Sequence, residues 1–533
     1  MFRKQGVALL AVIGLAAAIL PPNWLVLEGA EDKGDDPPLP KGAILRLGKS
    51  QHQRRNLGSP SVTFLPNGTL ASTRSDGKLV FWNARTGKAI RTLEGHPFVV
   101  FSPNGKIMAS HPGGRADAVR VLQVDTGKEI ACTSPIWHYL FHREFCFSKD
   151  ARYLFVGGGT ENNRKKSNPA LCVWDLATCK KTTEFPLREI LQCIIVSPDG
   201  KWLATSTYGR YNLQIWDTTN HKETQRFFSD GASQISGIAF SPDSSSLASV
   251  GHFPAVRLSH VATGKDRWKI STLDNWAFCV AFSPQGRMMA VGTGKPQGNI
   301  YLLETATGLV RSRFEYGGKK NVGLVSIAFS PDGSLLASAA SDCALLLWDV
   351  TGGILAKAPI KPIDAKELEG RWAELANVDG AKAWQAIQAL EARPEQAVAI
   401  IKERLIPNTK LDAKRLSQLQ SDLNHDSFQV REKASNQFEV LGAVAEPSLR
   451  KILASNPPLE ARKRVTKLLE KIAKRGLLSE ELRALRAHEI LESIATPEAQ
   501  RLLQAAADGE PAARVTQDAR ASLERMGNRK NNE

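Results

Sequence analysis

Cysteine is scarce in this 533-residue sequence, and no two of the seven stand as Cys-x-x-Cys. So sparse and odd a set argues against a disulfide framework and a zinc ribbon. Of Cys132, Cys146, Cys172, Cys179, Cys193, Cys279 and Cys343, most fall in apolar, strand-like runs, where a thiol acts as a small hydrophobe. There is no Gly-x-Ser-x-Gly elbow and no His-Glu-x-x-His pair, so two common hydrolytic chemistries have no residues to carry them. Acidic side chains are in deficit, 54 against 70 Lys and Arg, for a net charge of +16. Most of that surplus precedes Ala365 and suits anionic partners as well as plain solubility. A long apolar run stands at the N-terminus, from Gly6 to Leu20, preceded by Arg3 and Lys4. That is the layout of an export signal. Glu28 spoils the small-x-small pattern expected of a cleavage site, and Trp24 to Leu27 extends the apolar stretch. Residues 1–30 are therefore read as a signal peptide or uncleaved membrane anchor, and the positive-inside rule sends the rest across the membrane. "EDKGDDPPLPKG" is a Pro-rich tether over residues 31–42.

What the sequence has is repetition. A turn of the Ser-Pro-Asp-Gly kind recurs at residues 65–68, 102–105, 148–151, 197–200, 241–244, 283–286 and 330–333, at spacings of 37 to 49 residues. Each copy is followed by a second signature, from "LVFWNARTGK" in the first to "LLLWDVTGGI" in the last. Before the last turn, Val325, Ile327 and Phe329 alternate with Ser326, Ala328 and Ser330, which suits a strand crowded on one side near a central axis. The strand ending at Trp348 is apolar on both faces, so it needs neighbours on both. Seven units of four strands, each sheet covered by the next, make a propeller.

These units resemble the WD40 repeat. Trp-Asp is intact at Trp174-Asp175, Trp216-Asp217 and Trp348-Asp349 and nearly so at Trp82-Asn83, while Leu122-Gln123, Ser259-His260 and Leu303-Glu304 depart from it. The family's Gly-His dipeptide is matched at Gly95-His96. The resemblance implies a seven-bladed WD40 β-propeller over residues 43–356. "AILRLG", Ala43 to Gly48, is strand-like and is expected to supply the outer strand of the last blade, closing the ring.

After a linker over 357–365 the period becomes helical, and residues 366–527 form an all-α region followed by a polar tail at 528–533. Ala381–Leu405, Val430–Leu453 and Leu482–Ala506 each read as two helices broken near Pro394, Gly442 and Pro497, with Thr496 placed to cap the last helix. These pairs resemble HEAT-like repeats, which implies a solenoid in which each pair packs on the next. Lys463, Lys467, Lys471 and Lys474 form a basic stripe at helical spacing, with Glu460 and Glu470 among them as on an ordinary solvated face.

Chemistry is harder to find. The glycines of "GTGKPQGN" lie between two strands of one blade with no helix following, so no helix N-terminus meets a phosphate. His138, His142 and Cys146 would share a helix face, but here they spread over loop and strand. "ATGKDRWK" resembles the tryptophan-docking motif of quinoprotein propellers, through Thr263, Gly264, Lys265 and Trp268. No catalytic, cofactor or metal residues are assigned. The candidate partner-binding residues are those on the loops opposite the Pro-Asp-Gly turns: Trp137, His138 and Tyr139; Arg164, Lys165 and Lys166; Tyr208, Arg210 and Tyr211; Trp276; and Lys319 with Lys320. Aromatic and Arg side chains anchor interfaces, and Lys adds attraction for anionic surfaces. The expected function is a non-enzymatic protein-interaction scaffold of the cell envelope, with an acidic envelope polymer as a further partner class and nucleic acid disfavoured by export. The competing reading is an envelope enzyme or quinoprotein-like ligand-binding propeller acting on an anionic glycan or small molecule.

Overall fold

The computed structural model describes residues 38–48, 60–352 and 361–530, apart from 75, 113–117, 134–143, 160–168, 188, 190, 208–212, 228–233, 252–255, 272, 295–297, 317–321, 343, 406–412, 442–444, 475–478 and 512. Seven four-stranded antiparallel sheets form the propeller, and six of them run in sequence order from inner to outer strand. In the seventh blade the strands Leu324–Phe329, Leu335–Ala340 and Leu345–Asp349 are completed by Ala43–Leu47, in the register Ala43 to Trp348 and Leu47 to Leu345. The closing strand is thus where the sequence puts it. The inner strand follows the expected alternation, with Val325, Ile327 and Phe329 buried and Ser326 and Ala328 half-buried.

Three of the Trp-Asp or Trp-Asn strands share one buried side-chain hydrogen bond. The indoles of Trp82, Trp216 and Trp348 donate from Nε1 to Ser72, Thr205 and Ser338, each at 2.9 Å. Each acceptor stands two residues beyond the residue paired with the Trp on the neighbouring strand. In blade 3 that place holds Val156, and Trp174 Nε1 is buried with no partner.

Ten helices follow among the described residues: α1 (Ala365–Glu374), α2 (Gly380–Glu391), α3 (Pro394–Arg404), α4 (Ala413–Asp422), α5 (Phe428–Leu441), α6 (Glu446–Ala454), α7 (Leu459–Lys474), α8 (Ser479–Ile494), α9 (Pro497–Ala507) and α10 (Arg514–Lys530). Thr496 caps α9, its side chain accepting from the Ala499 amide. The helices do not stack in sequence order, as a simple solenoid would. Helices α1–α3 pack with α8–α10, whereas α4–α7 pack on one another around Leu423, Phe438, Leu449 and Val465. The reason lies in α8, which is buried on nearly every side from Leu482 to Glu492 and so needs neighbours from both ends of the region. The first group shares one apolar core with blades 6 and 7, joining Leu302, Leu336 and Trp348 to Ile387, Ile490 and Leu503. Helix α2 lies against the outer strand of blade 6, Val310–Glu315, so closely that a Cβ on Gly380 would sit 2.6 Å from the Val310 carbonyl oxygen.

Candidate interaction surface

The strand connections divide between two rims. On the turn rim, Ser330 Oγ donates to Asp332 at 2.5 Å, and the same carboxylate accepts from the Ser334 amide at 3.0 Å. The outer-hairpin turns lie beside these turns: the Val350 amide reaches the Ser334 carbonyl at 3.1 Å, and Thr305 reaches Arg287 at 3.1 Å. The strand ends that the other two sets of connections join lie at the opposite, loop rim.

Trp276 occupies the loop rim between blades 5 and 6 and is 48% exposed. Its carbonyl accepts from the Gly294 amide at 2.8 Å, and a Cβ on Gly294 would meet the Phe278 ring at 2.2 Å. That glycine of "GTGKPQGN" therefore serves close packing. Asp274, two residues before Trp276, accepts from the Tyr301 hydroxyl at 2.5 Å and pairs with Arg313 at 2.9 Å. Burial and that hydrogen bond push the Tyr301 phenol up to about 12. Of the candidate residues, Trp276 is the one the structure describes. Trp137, His138, Tyr139, Arg164, Lys165, Lys166, Tyr208, Arg210, Tyr211, Lys319 and Lys320 lie outside the described residues. The strands bracketing their segments, such as Tyr153–Gly159 with Pro169–Asp175, end at this same rim.

The turn rim at blade 6 is covered, and by residues that sequence reasoning missed. Glu304, which replaces the Asp of Trp-Asp in blade 6, is 4% exposed. It accepts from Arg486 of α8 at 2.9 Å through both oxygens and from Arg311 at 3.0 Å. Arg311 also pairs with Glu489 at 2.6 Å and lies 4.9 Å from the Trp384 ring centre. Arg287 reaches Glu492 at 3.0 Å and Asp518 at 2.5 Å, and Arg525 closes on Glu492 at 2.7 Å. Arg486 further donates to the Leu375 and Asn377 carbonyls, both at 2.7 Å. Burial alone would raise the Glu304 carboxyl, but Arg311 and Arg486 hold it down to about 2. The same contest leaves Asp518 and Glu492 lowered, chiefly through Arg287 for Asp518 and Arg525 for Glu492. For nearby Glu391 the opposing pulls of the Ser493 hydrogen bond and the Arg311 charge are the smaller ones, and burial with the Glu489 charge pushes it up to about 7. The signal in the sequence was Glu304 itself, a longer carboxylate at a position where Asp recurs.

The other singled-out motifs have packing roles. Trp268 Nε1 donates to the Thr305 carbonyl at 2.9 Å, and its ring leaves a Cβ on Gly308 only 3.0 Å, so this indole ties blade 5 to blade 6. Cys146 is buried in the inner strand of blade 3, where burial raises its thiol. In the basic stripe Lys471 pairs with Glu439, and Lys463 and Lys467 are exposed. Among the described residues no group of three His, Cys, Asp or Glu could hold a metal, and no helix is long and apolar enough to cross a membrane.

Comparison with known proteins agrees with the architecture. A family model described as "WD domain, G-beta repeat" matches residues 312–349, supporting a WD40-repeat β-propeller. A Schistosoma mansoni protein, "WD repeat-containing protein SL1-17", is 33% identical over 153 residues, 29% of this chain and 48% of that one. A rice "guanine nucleotide-binding protein subunit beta" is 24% identical over 53% of this chain and 78% of its own. The chicken "WD repeat-containing protein 1" is 27% identical over 38% of this chain and 39% of its own length. The match thus spans about half of the Schistosoma protein and less of the chicken one.

Proposed function

We propose that this propeller is a non-enzymatic interaction scaffold that grips a protein partner on its loop rim. The likeness to WD-repeat proteins supports the scaffold role at a coarse level. The observation that carries the choice of face is the asymmetry between the rims. The turn rim at blade 6 is covered by the chain's own helices through buried, paired guanidinium and carboxylate groups. The loop rim instead presents Trp276, a large apolar surface at a place where an interface anchor is useful. The Arg164–Lys166 and Arg210 side chains would add attraction for an anionic partner surface or acidic polymer.

We place this scaffold in the cell envelope, held by the N-terminal segment, on the strength of Arg3, Lys4 and the apolar run behind them. Two measurements test the reading. Protease shaving of spheroplasts should digest the propeller; full protection would refute the location. Affinity capture from an envelope fraction should yield a partner whose dissociation is faster from Trp276→Ala, while Lys201→Ala and Lys265→Ala on the turn rim leave binding unchanged. The reverse pattern would move the site to the other rim.

A further inference from the structure

Away from the covered blade 6, the turn rim carries a row of lysines. The outer-hairpin turns of blades 1 to 4 end at Lys88, Lys128, Lys180 and Lys222, all exposed. The place is the same from blade to blade: the carbonyls of Lys88, Lys128 and Lys222 accept from the residue that opens the turn at 2.9, 2.9 and 3.0 Å. In blade 6 that place holds Leu309, whose carbonyl accepts from Glu304 at 2.8 Å. Lys106, Lys149 and Lys201 stand on the inner turns of blades 2 to 4 and are exposed as well. A Cβ on Gly200 would sit 2.9 Å from the Lys149 Cβ, so the inner turns of blades 3 and 4 are in contact. No ion pair engages any of these lysines among the described residues. The eight turns of these four blades hold nine Lys and Arg against five Asp, so the surplus is positive. Most of those carboxylates are bound within their own turns: Asp150 accepts from Ser148 and Asp199 from Ser197, both at 2.5 Å, and Asp217 from the Thr219 amide at 2.7 Å. Asp175 pairs with Arg152 at 3.2 Å, which leaves Asp125 without such a donor. The N-terminal chain reaches the ring at this same rim. Ala43 is level with Trp348 at the turn-rim end of the last blade, and the Gly42 carbonyl accepts from the Asp349 amide at 3.2 Å. Blade 7 borders blade 1, where the Val62 amide donates to Ser326 at 3.2 Å.

We propose that the turn rim of blades 1 to 4 rests on the anionic lipid headgroups of the membrane that the N-terminal segment enters. The choice of lipid rests on the membrane attachment proposed above; the lysine row stands without it. Two independent features meet on one rim: the exposed cations, and the point at which residues 31–42 join the ring. Lysine is a mobile point charge on a long stem, suited to a fluid layer of phosphates rather than to one fixed carboxylate. Basic side chains held beside an anchored segment are drawn to acidic headgroups within a Debye length of the surface. The helices that cover blade 6 stand across the ring from blades 2 and 3, so a tilt of the ring lets the lysine-bearing blades meet a flat surface. A dissolved acidic polymer would meet the same charges, but the place where the N-terminal chain joins the ring would then be unrelated to them. With the turn rim on lipid, the loop rim and Trp276 face away from the membrane, toward a partner.

The test uses the full chain mixed with vesicles of phosphatidylcholine alone, or of phosphatidylcholine and phosphatidylglycerol in equal parts. A water-soluble amine reagent labels exposed lysines, and peptide mass spectrometry reads each site. Lys88, Lys128, Lys180 and Lys222 should label about fivefold more slowly on the anionic vesicles, with the protection fading as salt rises. Lys463 and Lys467, exposed on α7, should label alike on both. The variant K88E/K128E/K180E/K222E should keep its melting curve, because all four side chains are exposed, and should leave Lys106, Lys149 and Lys201 unprotected. Flotation separates this inference from the attachment beneath it. A chain that floats with both vesicles but labels equally on them keeps its anchor and overturns the lysine face. A chain that floats with the anionic vesicles alone, its rim lysines protected, loses the anchor and keeps the lipid contact. Flotation with neither overturns both. Inner lysines as protected in the variant as in the wild type would also overturn the proposal. So would stronger protection by dissolved polyglutamate than by the vesicles, which would give the face to an acidic polymer.

Discussion

Trp174 is the one Trp of the four Trp-Asp or Trp-Asn strands whose Nε1 is buried without a partner among the described residues. A buried donor without an acceptor costs about 1–3 kcal/mol. Its acceptor position is Val156, and Thr has nearly the same shape as Val. Thr205 already accepts from Trp216 at 2.9 Å in the neighbouring blade. Val156→Thr should therefore stabilise the protein by about 1 kcal/mol, after the new hydroxyl's own desolvation. Chemical denaturation checks this, and a lower midpoint would show the hydroxyl unpaired. The Trp, Ser and Thr positions of these strands could be read from the sequence because they recur at a fixed place in each unit. The pairing of Arg486 with Glu304 could not, although Glu304 stands out as a longer carboxylate where Asp recurs. Local sequence treats such residues as surface, and only the approach of α8 to blade 6 makes their burial tolerable.

At the scale of the element, α8 is held by carboxylates pulled in opposite directions. Glu391 has its carboxyl raised from 4.5 to about 7, so the folded chain binds more protons between those values and stability falls as pH rises through the window. Glu304 is lowered from 4.5 to about 2, so its contribution is complete above 4.5 and is lost as pH falls toward 2. For these two groups stability peaks between the windows, near pH 4.5 to 5. Glu391→Gln should flatten the loss between pH 5 and 7 while leaving the acid limb intact, as thermal melts across pH would record. An unchanged neutral slope would assign that loss to other groups. The closing strand is a second test at this scale. Removing Ala43–Leu47 exposes the edge of Leu345–Asp349, whose residues are all buried. The deletion should lower the melting midpoint by several degrees and promote aggregation, and an intact midpoint would mean the ring closes without it.

For the whole molecule, the ring was legible because a repeat states its own boundaries seven times. The helix pairs were legible too, through Pro394, Thr496 and Pro497. Their arrangement was not, because amphipathic helices declare which face is apolar and not what covers it. The loop-rim residues were chosen from topology and residue type, and Trp276, the one of them that the structure describes, is 48% exposed. If the basic loops steer a partner to that rim, replacing Arg164, Lys165, Lys166 and Arg210 with Ala should chiefly slow association. The defect should shrink as salt screens the wild-type attraction beyond about 10 Å at 0.1 M. A salt-independent loss in surface plasmon resonance would instead indicate direct contact.

The pairing of Ala43 with Trp348 also sets a timetable for synthesis. The first strand of the ring leaves the ribosome about 300 residues before its partner exists, a contact order at the slow end for any domain. At about 5–20 residues per second, that strand waits roughly 15–60 s with its hydrogen-bonding edge unmet. Blades 1 to 6 can form during that interval, each on its predecessor, but the circle cannot. Closure is therefore an event of the released or nearly finished chain, and the helices that cap blades 6 and 7 arrive later still. A nascent chain of this kind is most vulnerable just before completion, when six blades present an open end.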